Sequence, residues 1–371
     1  MQVRDPIYGD IEFDKTELSL LDQPEMQRLR YIRQTGFAHL VYLGANHTRF
    51  EHSIGTMEAT KELSKSIGKD RPELYYAGLL HDIGHGPFSH ISEPVISKYL
   101  KKTHEQLGRE IVASTGIREI ISDSSASLGK VIAYFTKEDK YSIISGAIGS
   151  DRIDYLLRDS YYTGVAYGVI DYSRIKSKIA EYKGKTAIYE QGISAAESLL
   201  IARLFMFRNV YLHHTCIIAG EMFAKAAERA IEEGALDPKN FAKMRDDEAL
   251  AALMNAMDSR EIVERIYARR LYKRAYNGET EGSIAKEIES ELSRNGFDSM
   301  DYIVREYKLE PFKEDIPVLD KKGNYIGKLS KISLLVGMLA NPSNTKSMLI
   351  VATKTELVEK AKRIIEKIID R

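Results

Sequence analysis

Apolar residues recur at helical spacing through most of the 371-residue chain. From Pro24, Met26, Leu29, Tyr31 and Ile32 repeat at near-helical intervals among Gln27, Arg28, Arg30 and Arg33, predicting a helix that Gly36 ends. Phe50, Ile54, Met57, Leu63 and Ile67 mark a second helix, in which Gly55 and Ala59 leave room beside His52 for a neighbour. A third, restarted by Arg71-Pro72, is apolar from Leu74 to Leu80 and must stop at Gly84 and Gly86-Pro87. Helices follow near 91–101, 103–115 and 131–135, and again through 141–162, where Asp151, Tyr155 and Asp159 fall at i, i+4, i+8 on one face. Ala195 to Glu233 reads as one or two long helices, and 236–308 as helical throughout.

Strand signals are few. Residues 1–20 alternate weakly around turn residues Asp5-Pro6 and Gly9, Tyr182-Lys183-Gly184-Lys185-Thr186 reads as a hairpin turn, and Ser347 to Ala352 is a short β-rich run. The texture changes at Pro311. Beyond it come a turn at Lys321-Lys322-Gly323-Asn324 and an amphipathic terminal helix opened by Thr353 and Glu356 as a capping box. The expected fold is mainly α with short β-hairpins, divided into residues 1–310 and a small α+β appendage, 311–371.

Composition adds exclusions. The 54 basic residues balance 54 acidic ones, which argues against general affinity for nucleic acid or acidic membranes. The single Cys216 excludes an internal disulfide framework, and no apolar run reaches the ~20 residues that cross a bilayer, so a cytoplasmic location is expected.

Candidate chemistry concentrates in His81-Asp82-Ile83-Gly84-His85-Gly86-Pro87-Phe88-Ser89-His90, where a buried helix must end and its polar side chains reach the mouth of a pocket. Seven of the nine histidines lie between positions 39 and 104. His52, His81, Asp82 and Asp151 together make a nitrogen and oxygen set suited to a divalent metal ion such as Mn²⁺, Fe²⁺, Zn²⁺, Ni²⁺ or Mg²⁺. On spacing alone, a helix-capping Asp82 and a buried, hydrogen-bonded His81 are the competing account.

His52, then His81-Asp82, then Asp151 reproduces the H…HD…D signature of the HD-domain phosphohydrolases. Asn46 to Ser53, His81 to His90, Thr103-His104-Glu105-Gln106, and Asp151-Arg152-Ile153-Asp154-Tyr155 with Arg158-Asp159 resemble the deoxynucleoside triphosphate triphosphohydrolase branch from Asp5 to about residue 230. The resemblance implies the helical HD-domain fold, one catalytic metal, and cleavage of a deoxynucleoside triphosphate to deoxynucleoside and inorganic triphosphate. It implies that His104 transfers protons with support from Glu93 and His85; the family has aspartate where Glu93 stands, which keeps the charge and shifts the reach. Arg49 and Arg152 match phosphate-contacting positions, while Gln34, Tyr155, Asp159 and Tyr211 match sugar-binding ones. Arg158 is expected instead in a surface ion pair. Leu212 and His214 depart from the family's polar residue and lysine. Asp22, Gln27 and Arg30 match a guanine-reading activator pocket whose N-terminal lysine has no counterpart here. A nucleotide substrate and a homo-oligomer are therefore expected, with no membrane and no nucleic-acid partner. The alternatives are a phosphohydrolase acting on other nucleotides (monophosphate, pyrophosphate or cyclic signalling forms) and a nucleotide-binding regulatory protein.

Overall fold

The computed structural model describes residues 1–136, 143–280, 282–309, 314–341 and 346–369. Strands β1 (Gln2–Asp5) and β2 (Gly9–Glu12) form an antiparallel hairpin, followed by short helices α1 (Lys15–Leu21) and α2 (Pro24–Arg28). The helix expected to reach Gly36 thus stops at Arg28. After one 3-10 turn the backbone finds distant partners: Arg33 N–H donates to Asp246 Oδ2 at 3.0 Å, Gln34 N–H to the His47 carbonyl at 3.0 Å, and Arg49 N–H to the Ile32 carbonyl at 2.9 Å. Tertiary bonds override a locally helical pattern here.

Helices α3 (Arg49–Ser66), α4 (Pro72–Leu80), α5 (Glu93–Leu100), α6 (His104–Ser114), α7 (Gly116–Ser122), α8 (Leu128–Phe135), α9 (Ser150–Thr163) and α10 (Tyr172–Lys178) follow. α3 is the central one, packed along both α4 and α9. Its start is fixed by a capping box in which Thr48 N–H donates to Glu51 Oε2 at 2.6 Å. A Cβ on Gly55 would lie 1.9 Å from Asp154 Oδ1, so the expected room beside His52 is filled by α9.

β3 (Ile179–Tyr182) and β4 (Lys185–Tyr189) close through Lys183 and Gly184, both at positive φ, as a two-residue hairpin requires. α11 (Ile193–Met206) and α12 (His214–Glu232) are separated by one π-helical turn, Phe207–Tyr211. Next come α13 (Pro238–Phe241), α14 (Asp246–Asn255) and α15 (Arg260–Tyr267). The helical pattern expected through 308 is then broken by β5 (Lys273–Thr280) and β6 (Tyr302–Leu309), which flank α16 (Ala285–Arg294). The chain ends with β7 (Pro317–Leu319), β8 (Tyr325–Lys328), α17 (Leu329–Ile332), α18 (Leu334–Leu339), β9 (Lys346–Thr353) and α19 (Val358–Ile369).

β9 pairs antiparallel with both β5 and β6, and it is buried on both faces. Leu349 and Val351 pack with α16 and α19, whereas Ile350 and Ala352 join the core around α12. The expected capping box is absent: Thr353 is the last residue of β9, and its hydroxyl donates to the Asp301 carbonyl at 2.7 Å. The expected division at 310/311 falls outside the described residues, and strand pairing joins the parts it separates, β7 with β4 and β9 with β5 and β6. Two large hydrophobic cores result, one around α3, α4, α9 and α11 and one around α12, α14 and α15; Ile83 belongs to the first and Phe88 to the second. Both residues belong to the histidine-rich motif, which therefore runs from one core to the other. The chain is mainly α, with three small sheets among the described residues.

Candidate metal-centred active site

Three helices deliver the candidate ligand set. His52 lies one turn into α3, His81 and Asp82 follow the last turn of α4, and Asp151 opens α9. His52 Nε2 is 3.2 Å from Asp151 Oδ1 and 3.5 Å from Asp82 Oδ2, and His81 Nε2 is 3.3 Å from Asp82 Oδ1 and 3.8 Å from Asp151 Oδ1. The other ring nitrogens are spoken for: His52 Nδ1 donates to Asp154 Oδ2 at 2.7 Å and His81 Nδ1 to the Gly78 carbonyl at 2.8 Å. Those bonds set the tautomers that leave each Nε2 as a lone-pair donor, and both Nε2 atoms are buried with no hydrogen-bond partner. One ligand atom each from His52, His81 and Asp151 lie within 4.8 Å of one another. Two such imidazoles with two carboxylates fit a divalent ion.

The electrostatics point the same way. Burial disfavours a charged His52, but the Asp151 and Asp154 carboxylates outweigh it and lift its pKa to about 10, so a proton and a cation compete for the same Nε2 lone pair. Burial alone would raise Asp82, yet Arg49 with His81 and His85 holds it well below the usual carboxylate range. Asp151 is likewise held low, against its burial, by the two imidazoles. The cluster is built to receive positive charge.

Beyond Asp82 the chain turns through Phe88 and Ser89, both at positive φ (56° and 59°). Each such residue costs on the order of 1–3 kcal/mol and persists only where its surroundings hold it. Here Asp246 accepts the Phe88 N–H at 2.6 Å, Ser89 Oγ donates to the Arg33 carbonyl at 2.6 Å and accepts from Arg49 Nε at 2.8 Å, and Arg28 donates to the Ile83 and His85 carbonyls at 3.0 and 2.7 Å. Arg49 also donates to Asp82 Oδ2 at 2.5 Å, so it ties the strained loop to the ligand set.

That loop places His85 against α6. A Cβ on Gly84 would lie 2.1 Å from the His104 carbonyl, and the His85 and His104 rings stack at 4.0 Å. Glu93 bridges two imidazoles, His104 Nδ1 at 2.5 Å and His90 Nδ1 at 2.9 Å. Burial works against a charged His104, but the Glu93 hydrogen bond raises its pKa. His85 moves the other way: burial, then the neighbouring Arg49 and His104 charges, keep it neutral. A proton-holding imidazole thus stacks on a neutral one.

A cavity of about 620 Å³ opens on these groups. Gln34, Arg49, His81, Asp82, His85, His104, Asp151, Tyr155, Asp159 and Tyr211 all line it. His52 and Glu93 act from behind that wall. Asp159 is held from both sides, by His47 Nε2 at 2.7 Å and by the Tyr211 hydroxyl at 2.5 Å, and Gln34 Oε1 is buried without a partner. Arg152 is not part of the lining, and its Nη1 donates to the Ala147 carbonyl at 2.8 Å. Asp22, Gln27 and Arg30 are also away from it: Asp22 caps α1, Gln27 Nε2 donates to the Leu21 carbonyl at 2.7 Å, and Arg30 Nε donates to Gln27 Oε1 at 2.8 Å.

Arg158 corrects the sequence expectation most sharply. Instead of a surface ion pair it is fully buried, bonding Asp154 at 2.9 and 3.0 Å and Asp5 at 2.8 Å. Asp154 is the acceptor that orients His52, so the hairpin at β1 supports the ligand set through two carboxylates and one guanidinium. His47, His90, Asp154 and Asp246 have site roles that composition and spacing did not assign; the i, i+3 separation of His90 and Glu93 was the one available signal.

Comparison with known proteins decides the family. The family description HD domain matches residues 49–159, and HD associated region matches residues 170–370. The chain belongs to the HD-domain phosphohydrolase superfamily. It is similar to the uncharacterized protein MJ1154 of Methanocaldococcus jannaschii, 44% identical over 73% of this chain and 58% of that protein. It is also similar to the human deoxynucleoside triphosphate triphosphohydrolase SAMHD1, 28% identical over 75% of this chain and 55% of that enzyme. The chain therefore spans little more than half the length of either relative. Among solved structures, a hypothetical protein from Aquifex aeolicus superposes with a TM-score of 0.84 at 31% identity, covering 98% of this chain and 99% of that one.

In this HD-domain protein, the HD match contains every metal-ligand candidate together with His85, Glu93 and His104, while the associated region supplies Tyr211 to the cavity wall. Among the described residues no helix is long and apolar enough to cross a membrane.

Proposed function

We propose that the protein hydrolyses deoxynucleoside triphosphates to deoxynucleoside and inorganic triphosphate. The observation that carries this reading is the convergence of two orphaned, buried Nε2 atoms with Asp82 and Asp151 at a cavity that also holds Arg49, the His104–Glu93 pair and the Asp159–Tyr211 pair. The name of the human relative supports the substrate class. His52, His81, Asp82 and Asp151 would hold a divalent ion, which when bound would supply Lewis-acid polarisation and lower the pKa of water.

The chain's own residues do the rest. Water oxygen bonds to the α-phosphorus as the bond from that phosphorus to the 5′ oxygen breaks; one water proton passes to solvent, the other stays with the triphosphate, and the leaving 5′ oxygen takes a proton. His104, kept protonated by Glu93, is the donor, and its stacking on neutral His85 fixes the ring plane. Arg49 faces the phosphates while anchored on Asp82 and Ser89. Gln34 Oε1 and the Asp159–Tyr211 pair meet the sugar hydroxyl. Arg152 reaches phosphate only by leaving the Ala147 carbonyl. Asp22, Gln27 and Arg30 form an activator contact in a homo-oligomer.

Product analysis tests the reaction. Wild type and a His81→Ala, Asp82→Ala double variant are incubated with Mn²⁺ and each deoxynucleoside triphosphate, and the products are resolved chromatographically. Deoxynucleoside and triphosphate from the wild type alone are expected. Monophosphate with pyrophosphate would move the cleaved bond and overturn the reading.

A further inference from the structure

The cavity continues past Tyr211 along α12. Leu212 lines it just before the helix, and Cys216, Ile217, Gly220 and Glu221 line it from one face of α12. Glu221 lies about 10 Å beyond His214 along the axis, at about 1.5 Å per residue. β6 adds Arg305 and Tyr307, two residues apart and so on one face of the strand. Arg305 Nε stands 3.4 Å from Glu221 Oε1. Neither the ligand set nor the His104–Glu93 pair involves these three.

On the reading that the cavity holds a deoxynucleoside triphosphate, the order of its parts is fixed. Phosphates lie at Arg49 and the ligand set and the sugar at Gln34, Asp159 and Tyr211. The base then runs along α12 toward β6. We infer that Glu221, Arg305 and Tyr307 form a base-reading end of the cavity that selects guanine.

Guanine presents two adjacent donors, its ring N1–H and 2-amino group, followed on the same edge by the acceptor O6. A carboxylate accepts two parallel hydrogen bonds, and a guanidinium donates to O6 or N7. Glu221 and Arg305 are that pair, already side by side, and the Tyr307 ring offers a stacking face. Adenine and cytosine each bring one amino group and leave a carboxylate oxygen unanswered. The Glu221–Arg305 contact is long and only partly buried, so it contributes little by itself and opens around a base at small cost. Burial raises the Glu221 carboxyl, partly offset by Arg305 and Lys225, which strengthens any hydrogen bond it accepts from a bound base.

The test compares dGTP with dITP, which lacks only the 2-amino group, and with dATP, dCTP and dTTP. The wild type is expected to favour dGTP over dITP by about tenfold or more in kcat/KM, the worth of one hydrogen bond to a charged group. Glu221→Gln and Arg305→Met, verified by unchanged melting temperature and metal content, are expected to bring that ratio within about threefold. Hydrolysis with no dGTP preference in the wild type, or with the ratio kept in both variants, overturns the inference and leaves the reaction standing. If no triphosphate is hydrolysed, equilibrium binding of the same five nucleotides to the Mn²⁺-loaded protein decides. A guanine preference lost in the variants supports the base site while the proposed reaction fails, and equal binding or none overturns the site.

Discussion

Among the described residues five buried ring nitrogens have no hydrogen-bond partner: Nδ1 of His47 and, around the cluster, Nε2 of His52 and His81 and both nitrogens of His85. Each such group costs about 1–3 kcal/mol unless something satisfies it. The gathering of the His52 and His81 atoms beside Asp82 and Asp151 makes a cation the economical answer for those two, while His85 is instead kept neutral and stacked. The next imidazole, His104, is tuned the other way. Burial opposes its charge, but the Glu93 hydrogen bond lifts its pKa above the ordinary 6.5. Catalysis that needs protonated His104 is therefore present below the raised pKa and lost as pH rises through it. Glu93→Gln removes the charge that holds the proton, so the alkaline limb of kcat/KM is expected to move to lower pH, with activity at pH 8 down by about tenfold or more. An alkaline limb that stays in place in the variant would show that His104 is not the titrating acid.

Among the elements, the contact of α3 with α9 carries the most chemistry, because it brings His52, Asp154 and Arg158 together at Gly55. Alanine is favoured over glycine in a helix by about 1 kcal/mol. Here a methyl group would sit 1.9 Å from Asp154 Oδ1 and 2.3 Å from Arg158 Nη2, and neither can yield, since Asp154 is bonded to His52 and Arg158 to Asp5. Overpacking costs about 1–3 kcal/mol in ordinary cores and leaves no net gain where the displaced group is a buried ion pair. Gly55→Ala is therefore expected to destabilise the protein in urea unfolding and to lower its metal content in parallel; a stabilised variant would mean that α3 and α9 are not held this closely. The element scale also shows what the chain made legible. α3, α4, α9 and the Tyr182–Lys185 hairpin could be read because their signals are local: an apolar stripe, a helix ended by glycine and proline, two turn residues. β5 and β6 could not, since their alternation acquires meaning only against β9, and Arg158 could not, because its partner Asp5 is 153 residues away. The same limit hid Asp246, which acts on Arg33 and Phe88 from another core.

At the scale of the molecule, Asp246 links the two cores across the active-site loop. It opens α14 in the second core, and its carboxylate accepts N–H bonds from Arg33 at 3.0 Å and Phe88 at 2.6 Å. Burial, only partly offset by those bonds and by Arg33, lifts its pKa from 3.8 to about 6. A carboxyl whose folded pKa exceeds its unfolded one binds its proton more tightly in the fold, so its contribution to stability is greatest below about pH 4 and is lost as pH rises to about 6. The amide introduced by Asp246→Asn does not titrate, and its single oxygen offers fewer acceptor sites for the two N–H groups, a deficit independent of pH. Thermal unfolding of wild type and Asp246→Asn is thus expected to show a difference in melting temperature that shifts against the wild type between pH 4 and 6 and is level above. A difference that is flat across this range would mean that Asp246 ionises freely.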